Sequence, residues 1–306
     1  MQISEERKGD LYILAQALLW GLFPVMSKLS LVSLPPLVVY GYVIIFSNLV
    51  FLFLLLKKGG FREVVKLSVV RDSFLTAFWI GFVFYGLYFF ALKYTTAGNA
   101  SIVALVDTLW SFLFFNIWKK EFVHTRHIFG IVLMVLGAII ILLPKSDGFR
   151  IGDVILLFAT MAAPFGNFFQ RRAREKASAE TVLFLRTLFT IPMIFLFMYF
   201  FGEKKFALPD MKTLLLLITN GVLMFGVVKI LWLEGIFRIS VTKALAISSI
   251  APFVTLLVSF WFLKENVTVW QFASLIPMTI GMLLLLSDFK FKTKQDKIDS
   301  INQIEV

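Results

Sequence analysis

The stretch GDLYILAQALLWGLFP, residues 9–24, occurs a second time in altered form as GDVILLFATMAAPFGN, residues 152–167. A longer pair follows in the same order. AGNASIVALVDTLWSFLFFNIWKKE ends at Glu121, and SVTKALAISSIAPFVTLLVSFWFLKE ends at Glu265. Self-similarity at a fixed distance is typical of a duplicated structural unit. The sequence therefore predicts two related halves that fold alike.

The composition identifies the solvent in which these halves fold. Of 306 residues, 59% are hydrophobic, 16% are charged and 36 are Phe, and the mean hydropathy is +0.87. A soluble domain is far more polar, so we predict an integral membrane protein. The net charge of +11 does not indicate nucleic-acid binding, because the basic residues lie in the short gaps between apolar runs. The absence of cysteine excludes disulfides and thiolate chemistry.

The apolar runs have the length of membrane-spanning helices. A hydrocarbon core of about 30 Å needs roughly 20 apolar residues in a helix, about twice the length of a strand in a membrane barrel. We therefore predict an all-α integral membrane protein with ten transmembrane helices. The predicted spans are residues 10–29, 36–56, 74–92, 98–118, 127–143, 152–170, 181–201, 213–234, 242–262 and 268–287.

Each predicted half holds five spans, and five is an odd number. The second half, residues 152–287, must therefore enter the membrane from the side opposite to the first half, residues 9–143. Inverted repeats of this kind form a binding site near the bilayer midplane, and rocking of one half against the other exposes that site to each side in turn. A tail at residues 288–306 follows.

The positions of Lys and Arg predict the orientation. More of them fall in the gaps that lie on the N-terminal side of the membrane, including the run RRAREK at residues 171–176. Cations are retained on the cytoplasmic side during insertion. We therefore expect a multi-pass protein of the cell membrane with both termini in the cytoplasm.

Several motifs resemble a known family. Each half opens with Gly-Asp; the third span ends in YFFALKYTTAGNAS (88–101), and the fourth closes in KKE (119–121) or, in the second copy, LKE (263–265). Over residues 9–287 the chain is similar to EamA-type transporters of the drug/metabolite transporter superfamily. That resemblance implies a ten-span metabolite carrier, often an exporter of amino acids, with a cavity lined by the first, third and fourth spans of each half.

One position departs from the family pattern. Members commonly have Pro in the middle of the fourth span, and Pro252 fits this in the second half. The matching residue of the first half is Thr108, directly after Asp107. The two halves therefore differ chemically at the midplane, so that a symmetrical site is not expected.

Asp107 is the most informative charge. It lies about 14 Å below the outer start of its span at 1.5 Å per residue, close to the midplane, where a carboxylate facing lipid is costly. It either binds substrate or a coupling proton, or it is a buried acid held by a structural partner. Trp110, three residues on, shares its helical face and has a packing role as its alternative.

Lys229 and Trp232 are spaced like Tyr85 and Tyr88, which they match through the repeat. Lys229 lies toward the inner leaflet and either extends to the headgroups or turns toward Asp107. We interpret the charges near the ends of the spans as interfacial anchors: Lys28, Arg186 and Lys243.

The function predicted from these residues is secondary transport of a small metabolite, with an amino acid or related zwitterion as the first hypothesis and outward movement as the expected direction. Asp107 and Lys229 receive its ammonium and carboxylate. The predicted walls are Trp20, Tyr85, Tyr88, Trp110 and Trp232. Another metabolite class, such as a nucleotide-like compound, a sugar or a drug-like amphiphile, is the alternative, and proton coupling and the oligomeric state are left open.

A membrane enzyme or a scaffold is the rival outside transport. Glu121, His124 and His127 turn progressively off one helical face, so a metal site is not expected there. A Gly-rich phosphate loop does not occur in the sequence, and neither a cofactor nor ATP hydrolysis is predicted. The longest gap between spans, residues 57–73, leaves no room for a soluble domain.

Overall fold

The computed structural model describes residues 4–59, 61–119, 125–143, 150–200, 208–239 and 241–286. In these residues all regular secondary structure is helical, nine helices are long and apolar enough to cross a membrane, and one shorter apolar helix accompanies them. The predicted all-α membrane fold is confirmed. The helices are α1 (Glu5–Ser30), α2 (Pro36–Lys58), α3 (Leu67–Leu92), α4 (Ala97–Phe115), α5 (Thr125–Leu142), α6 (Ile151–Arg174), α7 (Ala179–Phe200), α8 (Met211–Ile236), α9 in two pieces (Val241–Ser248 and Ala251–Phe262) and α10 (Val269–Leu286).

Helix α3 begins earlier than the apolar run that predicted it. The sequence places its start at residue 74, whereas the helix begins at Leu67 and includes Asp72, which is fully buried. Arg172 of α6 donates two hydrogen bonds to this carboxylate, at 2.6 and 2.9 Å. A bidentate pair of this kind compensates the buried charge, so the extra turns of α3 lie inside protein.

The start of α4 is capped from both halves. The Thr96 hydroxyl accepts a hydrogen bond from the Asn99 amide at 3.1 Å, and the Glu265 carboxylate, which follows α9, accepts one from the Ala97 amide at 3.0 Å. The first amides of a helix have no partner within the helix, and an acid at this end is favoured by the helix dipole. Glu265 therefore ties the second half to the start of α4 in the first half.

The two halves intermingle. Helix α1 packs on α8 and α9, whereas α6 packs on α3 and α4, so the first helix of each half lies against the third and fourth helices of the other. Helices α2 and α7 form a further contact, as do α5 and α10. The last pair approaches closely at Gly130 and Gly281: a Cβ on Gly281 would lie 2.6 Å from the Gly130 carbonyl oxygen. The contacts place α1, α3, α4, α6 and α8 around one centre.

Large aromatic side chains fill the interior of the bundle, and apolar side chains also cover its exterior. Tyr40, Phe23 and Phe225 are at most 1% exposed. On the outside, Phe53 and Trp261 are 64% and 70% exposed. A continuous apolar exterior marks a surface that contacts lipid, which agrees with the bilayer predicted from composition.

Candidate functional site

Four helices are interrupted near the middle of the bundle. Helices α1, α6 and α9 resume with a proline in the first turn, namely Pro24, Pro164 and Pro252. Helix α4 resumes instead with Asp107 in its first turn. Interrupted backbone is tolerated at membrane depth only against protein or a water-filled cavity, and transporters build their sites from such half-helices. The interruptions lie between Trp20 and Phe23, Val103 and Val106, Thr160 and Ala163, and Ser248 and Ala251.

The third helix of each half contains a π-helical segment. These segments are Ala77–Tyr85 in α3 and Asn220–Val227 in α8. Wide turns of this kind occur frequently at functional sites. Tyr85 ends the first segment, and Lys229 follows the second by two residues, so the irregular geometry directs both side chains.

A sequence signal for these segments exists and was missed. Each contains or adjoins two glycines spaced five residues apart, Gly81 with Gly86 and Gly221 with Gly226. In the structure Gly81 lies against Thr190 of α7, and Gly221 lies against the backbone and side chains of α2. Spacing of i to i+5 is unsuited to one face of a regular α-helix but fits the wider turn.

Lys229 turns into the bundle. Its Nζ donates a hydrogen bond to the Tyr85 hydroxyl at 2.9 Å and lies 3.7 Å from the centroid of the Trp20 ring. A cation over the face of Trp is stabilised by the ring quadrupole. The ammonium therefore joins α8, α3 and α1, and of the two orientations open from sequence it adopts the inward one.

Aromatic side chains enclose this ammonium. Trp20 stacks on Phe23 with ring centroids 4.5 Å apart and tilts against Phe225 at 5.9 Å. Tyr88, 2% exposed, lies 5.1 Å from Phe23 and 6.5 Å from Tyr85. Phe23 and Phe225 were not predicted from the sequence. With 36 Phe residues in the chain, the sequence does not distinguish a Phe that lines the site from one that packs between helices.

Asp107 lies on the same side of the bundle without a contact ion pair. The Thr108 hydroxyl donates a hydrogen bond to its carboxylate at 3.2 Å, and the carboxylate attracts Lys229 electrostatically. Within the described ranges no Lys or Arg lies within 4 Å of it. The positive end of the second half-helix of α4 also favours an anion here. A carboxylate and an ammonium thus act on the same space from opposite halves.

Trp110 and Trp232 have different neighbours. The Trp110 indole donates a hydrogen bond to the Thr160 hydroxyl at 3.1 Å, where α6 is interrupted. Trp232 is half-buried and packs against the clusters around Ile13 and Phe51. The structure therefore gathers six of the seven predicted residues about the helix interruptions: Trp20, Tyr85, Tyr88, Asp107, Trp110 and Lys229.

The structure corrects the interpretation of Arg186. The sequence suggests an interfacial anchor, but the residue is 4% exposed and donates a hydrogen bond to Gln170 Oε1 at 3.2 Å. Arg186 lies two turns inside α7, and its side chain points at α6. This orientation cannot be predicted from the sequence. By contrast Lys243, with its side chain 40% exposed, pairs with Glu6 and Asp10 at the surface.

The side chains that could bind a metal ion are dispersed over the described residues. In the described ranges no group of three or more His, Cys, Asp or Glu side chains is arranged to hold a metal ion. His127 is 4% exposed and packs edge-on against Phe112. Glu121 and His124 lie outside the described residues.

Comparison with known proteins gives a match over both halves. The profile of the EamA-like transporter family matches residues 7–143 and again residues 150–287. The uncharacterized transporter YojE of Bacillus subtilis is 26% identical over 273 residues, which cover 87% of this chain and 89% of that protein. A probable amino-acid metabolite efflux pump of Escherichia coli is 22% identical over 290 residues, covering 91% of this chain and 94% of the pump.

A solved structure supports the fold. One crystal structure, 18% identical in sequence, superposes with a TM-score of 0.65 and covers 91% of this chain and 96% of its own. At this identity the similarity concerns the fold alone. The chain therefore shares its helical architecture with a protein of similar length.

Proposed function

Because the chain belongs to the EamA-like transporter family, we propose that it is a secondary transporter that moves a small amino acid or related zwitterion by alternating access. The observation that carries this proposal is the inward orientation of Lys229, whose ammonium lies against Tyr85 and Trp20 at the helix interruptions. A charge at this depth is costly, and such residues are typically kept because they bind a ligand, carry a proton or line an ion pathway.

The substrate fits between two opposite charges. Lys229 receives the carboxylate, and Asp107 on the other half receives the ammonium. Trp20, Tyr85, Tyr88 and Trp110 give the apolar walls that orient a small ligand. Trp232, which packs nearer the inner end, lines the path from the cytoplasm.

The charge distribution supports a cellular location, and a relative supports a direction of transport. The excess of Lys and Arg on one side favours a cytoplasmic location for both termini and hence insertion in the cell membrane. The name of the Escherichia coli relative, a probable amino-acid metabolite efflux pump, supports outward movement and the same substrate class. A nucleotide-like compound, a sugar or a drug-like amphiphile is the alternative substrate. Among these, the aromatic walls favour a ligand with an apolar or aromatic part over a purely polar one.

A single substitution separates the two roles proposed for Asp107. If its carboxylate holds the substrate ammonium, Asp107→Asn weakens binding of zwitterions by at least about tenfold, the factor that 1.4 kcal/mol represents. If it carries a coupling proton, the same variant keeps the affinity and loses the pH dependence of transport. Unchanged affinity together with unchanged transport excludes both roles.

The measurement uses purified protein with a panel of L-amino acids. Isothermal titration gives affinity, and uptake into liposomes between pH 5 and 8 gives coupling. The matched control is Asp210→Asn, which makes the same chemical change at an exposed position before α8 and leaves both quantities unchanged. Lys229→Met abolishes binding of every substrate that carries a carboxylate.

A further inference from the structure

A second cation is buried in the bundle beside Lys229. Arg186 is 4% exposed, and in the part of the chain that the structure describes its guanidinium makes one hydrogen bond, to the Gln170 side chain at 3.2 Å. A guanidinium carries five N–H donors in a fixed fork. One neutral acceptor therefore leaves most of its donors and its entire charge uncompensated.

Arg186 acts on the same space as Lys229. One turn further along α7, Thr190 lies against Gly81 of α3, and the Tyr40 hydroxyl donates to the Gly81 carbonyl at 2.7 Å. The guanidinium interacts electrostatically with the Tyr85 and Tyr40 hydroxyls and repels the Lys229 ammonium. Since Lys229 also donates to Tyr85, both cations converge on one hydroxyl group.

The acids of the inner side are engaged elsewhere. Glu180 pairs with Lys58 at 2.6 Å, and Asp72 pairs with Arg172 at 2.6 Å. The Glu63 carboxylate accepts hydrogen bonds from Ser178 and Thr181, each at 2.8 Å. Among the described residues none of these carboxylates lies within ion-pair distance of Arg186, and the Asp107 carboxylate attracts Lys229 rather than Arg186.

We infer that the substrate carries a second acidic group, so that its net charge is −1. This inference rests on the proposed function and narrows it to acidic amino acids. Lys229 and Asp107 hold the main-chain carboxylate and ammonium, while Arg186 holds the side-chain acid through a bidentate pair. Arg suits this task because its planar fork matches a carboxylate, and the substrate neutralises the excess positive charge of the site.

Pairs of amino acids that differ in charge but not in shape test the inference. Purified full-length protein is titrated with L-glutamate, L-glutamine, L-aspartate, L-asparagine and glutarate. The expected result is that each acid binds at least about tenfold more tightly than its amide. Arg186→Gln reduces that ratio to near one, and Arg186→Lys retains part of it.

Two controls separate binding from folding. Arg71→Gln removes a cation whose side chain is 60% exposed and leaves the acid-to-amide ratio unchanged. The melting temperature of the ligand-free Arg186→Gln variant stays at or above the wild-type value, because removal of an unpaired buried charge is not destabilising. A clear drop in this temperature indicates a structural role and overturns the inference.

The remaining outcomes are distinct. If glutamine binds as tightly as glutamate, the inference is overturned while amino-acid transport stands. If glutarate binds but no amino acid does, the acidic preference is supported and the amino-acid part of the proposed function fails. If none of the five compounds binds, both are overturned.

Discussion

The two ends of the bundle are closed by the same positions with different chemistry. In the orientation proposed above, the outer end is where α4 begins: Asn99 of α4 donates to the Asp153 carboxylate of α6 at 2.8 Å, and Gln271 of α10 donates to Asn99 at 2.9 Å. These three side chains are at most 4% exposed. At the inner end, Lys243 of α9 pairs with Asp10 of α1 at 2.8 Å, with side chains 40% and 35% exposed.

The repeat relates these contacts to one another. In the alignment of the two halves, Asp153 corresponds to Asp10 and Asn99 corresponds to Lys243. In the predicted inverted arrangement, these two matched contacts lie at opposite faces of the membrane. The outer contact has become a dry hydrogen-bond network, whereas the inner one has become a water-exposed ion pair. The two contacts occupy matched positions, but we expect the exposed ion pair to respond to salt and the buried network not to.

Substitution of the matched acids is expected to have the largest effect. Asp153→Ala leaves the buried Asn99 and Thr95 side chains without their acceptor, which costs about 3 kcal/mol of unfolding free energy. Asp10→Ala removes one arm of an exposed pair and costs much less. Denaturant titration of both variants in the same detergent gives the comparison, and equal losses would contradict it.

Ionic strength is expected to have an intermediate effect. Exposed pairs are screened by salt and buried networks are not. The native chain has no cysteine, so single cysteines at matched positions report on each end: Ala244→Cys beside Lys243 and Ala100→Cys beside Asn99, both fully buried in the wild type. Raising salt from about 0.05 to 0.5 M speeds thiol labelling of the inner reporter by about two- to fivefold and leaves the outer reporter unchanged. An equal response at both reporters would show that the closures do not differ.

Acid is expected to have the smallest effect, confined to the inner end. Burial acts to raise the pKa of Glu63, but hydrogen bonds from Ser178 and Thr181 outweigh it and hold this pKa below the usual 4.5. Because the pKa of Glu63 is lower in the folded protein than in the unfolded chain, this contact stabilises the fold at pH values above the unfolded pKa. The stabilisation is lost as the pH falls through the folded-state pKa.

Melting temperatures check this expectation. Wild type melts at a higher temperature than Glu63→Gln at pH 7, and this difference shrinks as the pH falls below the ordinary range of a glutamate carboxyl. If the two melting temperatures stay apart by the same margin in acid, the ionised carboxylate of Glu63 is not what ties the short helix Phe61–Val64 to the start of α7.

Much of the fold was predictable because it follows from local composition. Apolar runs of about 20 residues identify the spans without any partner, and the match between Gly9 and Gly152 reveals the duplication. The start of α3 was misplaced because Asp72 interrupts the apolar run. Its partner, Arg172, lies 100 residues away in sequence, so that no local sequence pattern predicts the pair.

The site was predictable in part for a related reason. Spacing along a helix places Asp107 with Trp110 and Lys229 with Trp232, but it does not say where a long side chain turns. The direction of Lys229 depends on Tyr85 and Trp20, which belong to two other helices. The burial of Arg186 depends on the rotation of α7 about its axis, which packing alone determines.

The central claim is that a site at the helix interruptions opens to each side of the membrane in turn. Ala104→Cys places a thiol at the interruption of α4, one turn before Asp107, and Phe53→Cys, on the lipid-facing surface, is the unreactive control. A membrane-impermeant thiol reagent is applied to right-side-out and inside-out vesicles. We expect labelling of Ala104→Cys from both faces, slowed in each case by a bound amino acid. Labelling from one face only, or from neither, would contradict it.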